Sequence, residues 1–249
     1  MAFHLVAYYQ SVDEAGVYTE IDPVPDESVR VEGKQIFVPK WSKLLGFCAF
    51  LGSTAQGAYL DAPSLRRLSL FYIAPINITT TPDANASVMV TGKILASLEE
   101  GEGVKFVSKA DPATAEPHSC LLWFADEEPT PMADPFTALE FSVSGTVTAG
   151  KWSNLAMTPV QALPVGRYQV VGAQVVATGG LAYRFIFVGE DHRPGGVCAQ
   201  DRQKPIYIFG EPGRLGVWGT FHTSTPPTLQ LLSTGTSLPT RVVLWLKKE

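Results

Sequence analysis

Two stretches of this chain, 122 residues apart, are built to one plan. Near the middle runs Pro117-His118-Ser119-Cys120-Leu121-Leu122-Trp123-Phe124, and near the end Pro239-Thr240-Arg241-Val242-Val243-Leu244-Trp245-Leu246. In each, a proline follows a turn, and a run of successive apolar residues closes on tryptophan and one further apolar side chain. Either stretch alone is an ordinary buried strand. Two of them, at close to half the length of a 249-residue chain and each closing its half, constrain the fold to a tandem of two similar units.

Two further matches run in the same order. Pro39-Lys40-Trp41-Ser42-Lys43-Leu44-Leu45-Gly46 aligns with Pro164-Val165-Gly166-Arg167-Tyr168-Gln169-Val170-Val171-Gly172, one residue longer, and Gly57-Ala58-Tyr59-Leu60 aligns with Leu181-Ala182-Tyr183-Arg184. The offsets drift from 126 through 124 to 122, as small loop insertions between matched strands would produce. The expected division is residues 1–125, a linker at 126–135, and residues 136–249. The linker reads DEEPTPMADP, with three prolines and four carboxylates. Units of this size bury roughly 65% of their unfolded surface, enough for a core each.

The secondary structure reads as short strands. Charged residues are 17%, apolar residues 45%, with Gly 22 and Pro 19, a profile that suits strands joined by turns. In the first half, strands are expected at Phe3 to Gln10, Val17 to Ile21, Gln35 to Val38, Leu44 to Leu51, Ala58 to Leu60, 68–76, Ser87 to Thr91, Val104 to Ser108 and Cys120 to Phe124. Lys93 to Leu98 is the one stretch with a helical reading. In the second half they are expected at Phe141 to Thr148, Tyr168 to Thr178, Ala182 to Val188, 205–209, Leu215 to His222 and Arg241 to Leu246. His222 to Ser233 reads as an enlarged connection before the last strand. The sum is fourteen to sixteen strands and almost no helix. The expected fold class is all-β, two tandem eight-stranded antiparallel jelly-roll barrels, the jelly roll being foremost among sandwiches and barrels of this size. The closing strands are apolar at successive positions, so both of their faces want cover, and a second subunit is one source of it.

Little chemistry is visible. His4, His118, His192 and His222 are scattered without metal-ligand spacing, and neither half has the paired histidines and glutamate of a cupin enzyme. There is no G-x-S-x-G and no P-loop. Gly213, Gly216 and Gly219 lie in a strand-like run, where turns and close packing account for them. Asp191-His192-Arg193-Pro194-Gly195-Gly196 has the residue types of a catalytic loop but the Pro-Gly-Gly of a turn. Glu99, Glu100 and Glu102 form an acidic loop, better read as solvated than as a Ca²⁺ site. Cys48, Cys120 and Cys198 are odd in number and far apart, hence three reduced thiols and a chain that folds in a cytosol. Net charge is −5, with no basic cluster beyond Arg66-Arg67 and Lys247-Lys248, so nucleic-acid binding is not expected. No apolar run spans a bilayer, and Met1-Ala2-Phe3-His4 has no signal-like character. No catalytic, cofactor-binding or metal-ligating residue is assigned, no cofactor is expected, and function is sought in surfaces rather than in enzymatic activity.

Two tandem all-β halves of near-minimal size, each ending in an apolar strand, resemble the double jelly-roll major capsid proteins of icosahedral, internal-membrane-containing viruses and bacteriophages. The likeness is architectural and covers the whole chain. It implies a structural virion protein, made in the host cytoplasm, whose barrels stand upright in the capsid. Three chains would form a pseudo-hexagonal homotrimer that meets neighbouring capsomers, penton and minor capsid proteins. It implies no direct nucleic-acid contact and an inner membrane nearby. The missing tower-building loops set this chain apart from larger members, and the missing N-terminal amphipathic helix argues against direct lipid contact. The alternative is a carbohydrate-binding tandem jelly roll, a lectin or receptor-binding protein, with Trp41, Trp152, Trp218 and the tyrosines as stacking platforms. A non-enzymatic two-domain scaffold is the third reading.

Overall fold

The fold is described from a computed structural model, covering residues 2–38, 40–52, 54–67, 76–77, 80–82, 89–90, 92–111, 114–133, 135–200 and 212–249. The chain is all-β: the described residues form nineteen strands and one helix of five residues. The sheets are curled and antiparallel in the main, one of them a half-barrel. Two compact units divide it, Val6–Asp126 and Glu127–Glu249, the latter together with the first five residues.

In the N-terminal unit the order is β1 (Phe3–Val12), β2 (Tyr18–Glu20), β3 (Val31–Glu32), β4 (Gln35–Phe37), β5 (Lys43–Phe50) and β6 (Ala55–Asp61). Helix α1 (Pro63–Arg67) follows, then β7 (Ile76–Asn77), β8 (Met89–Val90), β9 (Ala96–Ser97), β10 (Gly103–Ala110) and β11 (Glu116–Ala125). Strand β11 lies between β1 and β5, while β7, β8 and β9 all pair with β5, β7 in parallel. In the other sheet β10 pairs with β2 and β4 and also with β6. Strand β10 shows why it forms: Val104, Phe106, Ser108 and Ala110 are at most 1% exposed and alternate with outward Lys105 and Lys109. Inside, Tyr8 donates its hydroxyl to the Val104 carbonyl and packs on Phe106.

The C-terminal unit comprises β12 (Thr137–Gly145), β13 (Ser153–Pro159), β14 (Arg167–Val176), β15 (Gly180–Ile186), β16 (Gly195–Val197), β17 (Gly219–His222), β18 (Thr228–Ser233) and β19 (Arg241–Lys248). They make one sheet in the order β16-β15-β18-β13-β12-β19-β14-β17. The pairing is nested: first with last, β12 to β19; then β13 to β18, β14 to β17 and β15 to β16. That is a single long antiparallel hairpin, which the pairs β14–β19 and β15–β18 then roll up. The N-terminal unit repeats the scheme with β1–β11 and β2–β10 as nested pairs, and β5–β11 and β6–β10 as rolling pairs. The three sequence matches fall on corresponding strands of the two schemes. Trp123 stands opposite Gly46, and Trp245 opposite Gly172, each beside an irregularity in the ladder.

Several expectations need correction. Lys93 to Leu98 is not helical: Ala96–Ser97 pairs with Lys43 and Leu44 of β5, and the Leu95 and Leu98 amides donate to the Leu44 and Ser42 carbonyls. An unsatisfied β5 edge outweighs weak local helix propensity. The helix is at Pro63–Arg67, where proline sits at the first position and Glu102 accepts from the Ser64 amide and hydroxyl. His222 to Ser233 is not one connection, since Thr228–Ser233 is a strand between β13 and β15 with Leu229 and Leu231 inward. Ser153–Pro159 is a further strand that the reading passed over. Leu215 to His222 is strand only from Gly219, because Gly213 and Gly216 have φ of 84° and 70°. The expected strand at 205–209, and all of those at 68–76 and Ser87 to Thr91 except Ile76 and β8, lie outside the described residues. Part of the 126–135 stretch is fastened to the C-terminal unit: Met132 N–H donates to the Gly213 carbonyl at 2.8 Å.

Candidate functional site

The closing strands are where the sequence places unsatisfied surface, and the folded chain covers most of it. Cys120 to Ala125 are each 0% exposed, and Val242, Leu244 and Leu246 are at most 1% exposed. Of the apolar side chains in Val242 to Leu246, only Trp245 is half-buried. No Trp-Phe stripe is left for a second subunit to cover, so these strands do not by themselves demand an oligomer.

The tryptophans offered as stacking platforms are largely enclosed. Trp41 and Trp218 are 4% and 2% exposed, and the Trp152 ring carries the Arg184 guanidinium 4.1 Å above its centre. Trp41 and Trp218 thus have no open face for a sugar, while half-buried Trp152 has one face taken by Arg184. All three cysteines are buried and free, and burial raises each thiol well above its ordinary range, which leaves them protonated. The histidines are dispersed, and no group of three or more His, Cys, Asp or Glu side chains placed to hold a metal occurs among the described residues. In the acidic loop, Glu102 is occupied with Ser64 and with the Glu99 amide.

The catalytic-looking loop between β15 and β16 also spends its polar groups on structure. Glu190 Oε1 accepts from the Thr220 amide at 3.2 Å. His192 Nε2 donates to the Trp218 carbonyl at 2.9 Å and lies 3.1 Å from Glu190 Oε2. The Arg193 guanidinium binds the carbonyls of Glu190 and His192, and its amide donates to His4 Nδ1 at 2.9 Å. Gly213 and Gly216 are close-packing glycines, for a Cβ there would stand 2.5 Å from the Met132 carbonyl oxygen and 2.6 Å from that of Thr130.

A half-open cleft of about 400 Å³ lies in the C-terminal unit, lined by Arg167, Val188, Thr220, Phe221, His222 and Thr225. Pairing of β14 with β17 sets Arg167 directly opposite His222, 55 residues away in sequence. Arg167 Nε binds Glu249 Oε2 at 3.0 Å, and an Nη atom reaches Thr220 Oγ1 at 3.4 Å. His222 Nδ1 accepts from the Ser224 amide at 3.2 Å, so the neutral ring carries its proton on Nε2. The Ser224 hydroxyl lies 2.7 Å from Nδ1 and 3.2 Å from Thr225 Oγ1 within this tight turn. Val188, 76% exposed, adds an apolar wall. Such a cleft can hold a small ligand bearing hydroxyl or carboxylate groups, through a guanidinium, an imidazole N–H and two hydroxyls.

No protein-family model, curated protein or solved structure matches the chain. The cleft was not foreseen from the sequence. Its residues come from β14, β17 and the connections carrying Val188 and Thr225, and form no motif; the β14–β17 register brings Arg167 opposite His222.

Proposed function

We propose that the chain is a double jelly-roll major capsid protein, three copies of which form the pseudo-hexagonal capsomer of an icosahedral shell. The observation that carries this reading is the nested pairing. A long hairpin of eight strands, rolled so that the first four interleave with the last four, is the winding of a jelly roll. The strand order of the C-terminal unit supports such a winding there, and the pairs β1–β11 and β2–β10 support a second one in the N-terminal unit. One chain with two such barrels, taken three times, supplies six similar corners, and hexagons tile a surface without gaps. A net charge of −5 suits a shell kept apart from nucleic acid. Light scattering on the purified protein tests the proposal. A closed trimer has a mass near three times 26.9 kDa, and an obligate interface of over about 2,000 Å² keeps it intact at micromolar concentration. A stable monomer at high concentration defeats it.

The Arg167–His222 cleft favours a second reading, a carbohydrate-binding protein. A glycan array on the intact chain, repeated with Arg167→Ala, separates the two. Binding to an acidic sugar that the substitution abolishes, by a protein that stays monomeric, places function in the cleft.

A further inference from the structure

His118 lies on β11 in the N-terminal unit and is 0% exposed. Among the described residues its ring is held at one end only. Nδ1 is 2.8 Å from the hydroxyl of Ser108 on β10, itself fully buried, while Nε2 is buried without a hydrogen-bond partner. In the neutral ring this costs one unsatisfied atom in either tautomer: an Nε2–H without an acceptor, or an Nε2 lone pair without a donor. The imidazolium fares worse. Both nitrogens must then donate, Ser108 can take only one of the two protons, and a full charge stands in a closed core.

The surroundings give that charge little help. The face of β10 that carries Ser108 continues as Val104, Phe106 and Ala110, while Lys105 points away to Glu20 and Lys109 lies over Tyr18. On β5, Cys48 and Phe50 stand opposite Leu121 and Ser119, and the Cys48 and Cys120 thiols stay protonated. Tyr8 on β1 is neutral as well, its hydroxyl pushed up by burial and bound to the Val104 carbonyl. Among the described residues the one charged group acting on the ring is Glu116 of the same strand, a carboxylate that accepts from Thr54 Oγ1 at 3.3 Å. Burial lowers the His118 pKa below the usual histidine range, and Glu116 offsets only part of this.

We propose that His118 is an acid-sensitive catch: taking up a proton releases the β10–β11 core of the N-terminal unit, whatever the chain assembles into. The sign follows from linkage. In the opened unit the ring takes a proton near its ordinary pKa of about 6.5, and in the closed unit only below that. The open state therefore binds more protons. Stability is complete above about pH 6.5, falls as the pH drops through that value, and stops falling below the folded pKa; within this window opening gains up to about tenfold per pH unit.

Hydrogen exchange followed by mass spectrometry on the intact chain, from pH 7.5 to 5.0 and corrected for intrinsic rates, tests this. Peptides from β10 and β11 should lose protection by up to about tenfold per unit below pH 6.5. His118→Asn, which keeps an acceptor for the Ser108 hydroxyl but does not titrate, should remove that acid-dependent part. Unchanged protection down to pH 5.0, or an equal loss in the variant, overturns the proposal. Imidazole NMR on the unsubstituted protein gives a reading that does not depend on the variant folding. A His118 ring titrating below 6.5 supports the catch, and one titrating at or above 6.5 in the folded protein refutes it.

Discussion

Two glycines of the C-terminal unit show how differently the same residue is used. Gly213 has φ of 84°, and a Cβ there would stand 2.5 Å from the Met132 carbonyl oxygen and 2.7 Å from the Phe136 ring. Backbone strain and overlap with a carbonyl act together, so Gly213→Ala should cost about 2–4 kcal/mol. Gly172 is the contrast. Its φ is not in the left-handed region, and an added Cβ would meet Pro212 and the Trp245 ring at 3.5 Å, ordinary contact. Gly172→Ala should be neutral or stabilising by up to about 0.5 kcal/mol, while the branched Gly172→Val should cost about 1–3 kcal/mol by overpacking. Urea unfolding of the three variants checks the order, and equal costs at the two alanines would remove the distinction.

At the level of elements, β11 and β19 have the same partners by order but not the same cover. Each lies between the first strand of its scheme and the strand bearing the facing glycine. Trp123 is 0% exposed and Trp245 half-buried. Truncation should follow that difference: Trp123→Ala costs about 3–5 kcal/mol, Trp245→Ala about 1–2 kcal/mol. Denaturant midpoints would read this directly, and a larger loss at Trp245 would mean that the outer cover of β19 matters more than its single-chain burial indicates. The edge strand β17 is guarded in another way. Glu190 accepts from the Thr220 amide and the Thr225 amide donates to the His222 carbonyl, so groups that would recruit a further strand are already engaged.

For the molecule as a whole, sequence halves and structural units differ at the N-terminus. Residues 2–5 count with the C-terminal unit. There Phe3 is 0% exposed and meets Trp218 edge-on at 5.3 Å. Leu5 N–H donates to the Arg193 carbonyl at 2.9 Å, and the buried Arg184 guanidinium donates to the Leu5 carbonyl at 2.8 Å. Phe3→Ala should therefore cost about 3–5 kcal/mol, and the loss should appear in the unit furthest from it in sequence. Hydrogen exchange locates it: protection in β15 and β18 should fall while β5 and β10 keep theirs. Loss confined to β5 and β10 would contradict the division. The burial of both closing strands within one chain also bears on assembly. A trimer of these chains must use other surfaces, since the apolar runs are already covered.

The all-β class was legible because strand formation here is a local matter: short apolar runs, frequent proline and glycine, few charges. The likeness of the two closing strands was legible too, because a strand with both faces buried must be apolar throughout and so leaves the same trace twice. Thr228–Ser233 was hidden by the Pro226-Pro227 pair before it, and Lys93 to Leu98 kept a helical reading until an open β5 edge claimed it. His118 looked like any other scattered histidine, since nothing local tells that Ser108 faces it and that none of the described residues hydrogen-bonds its other nitrogen. The Arg167–His222 cleft lay equally out of sight. Composition and periodicity act between neighbours in the chain, and they determined which segments are strands. Register acts between residues 10 to about 190 positions apart, and only the tertiary structure decided which polar groups meet, because burial and hydrogen bonding select those partners once the strands have come together.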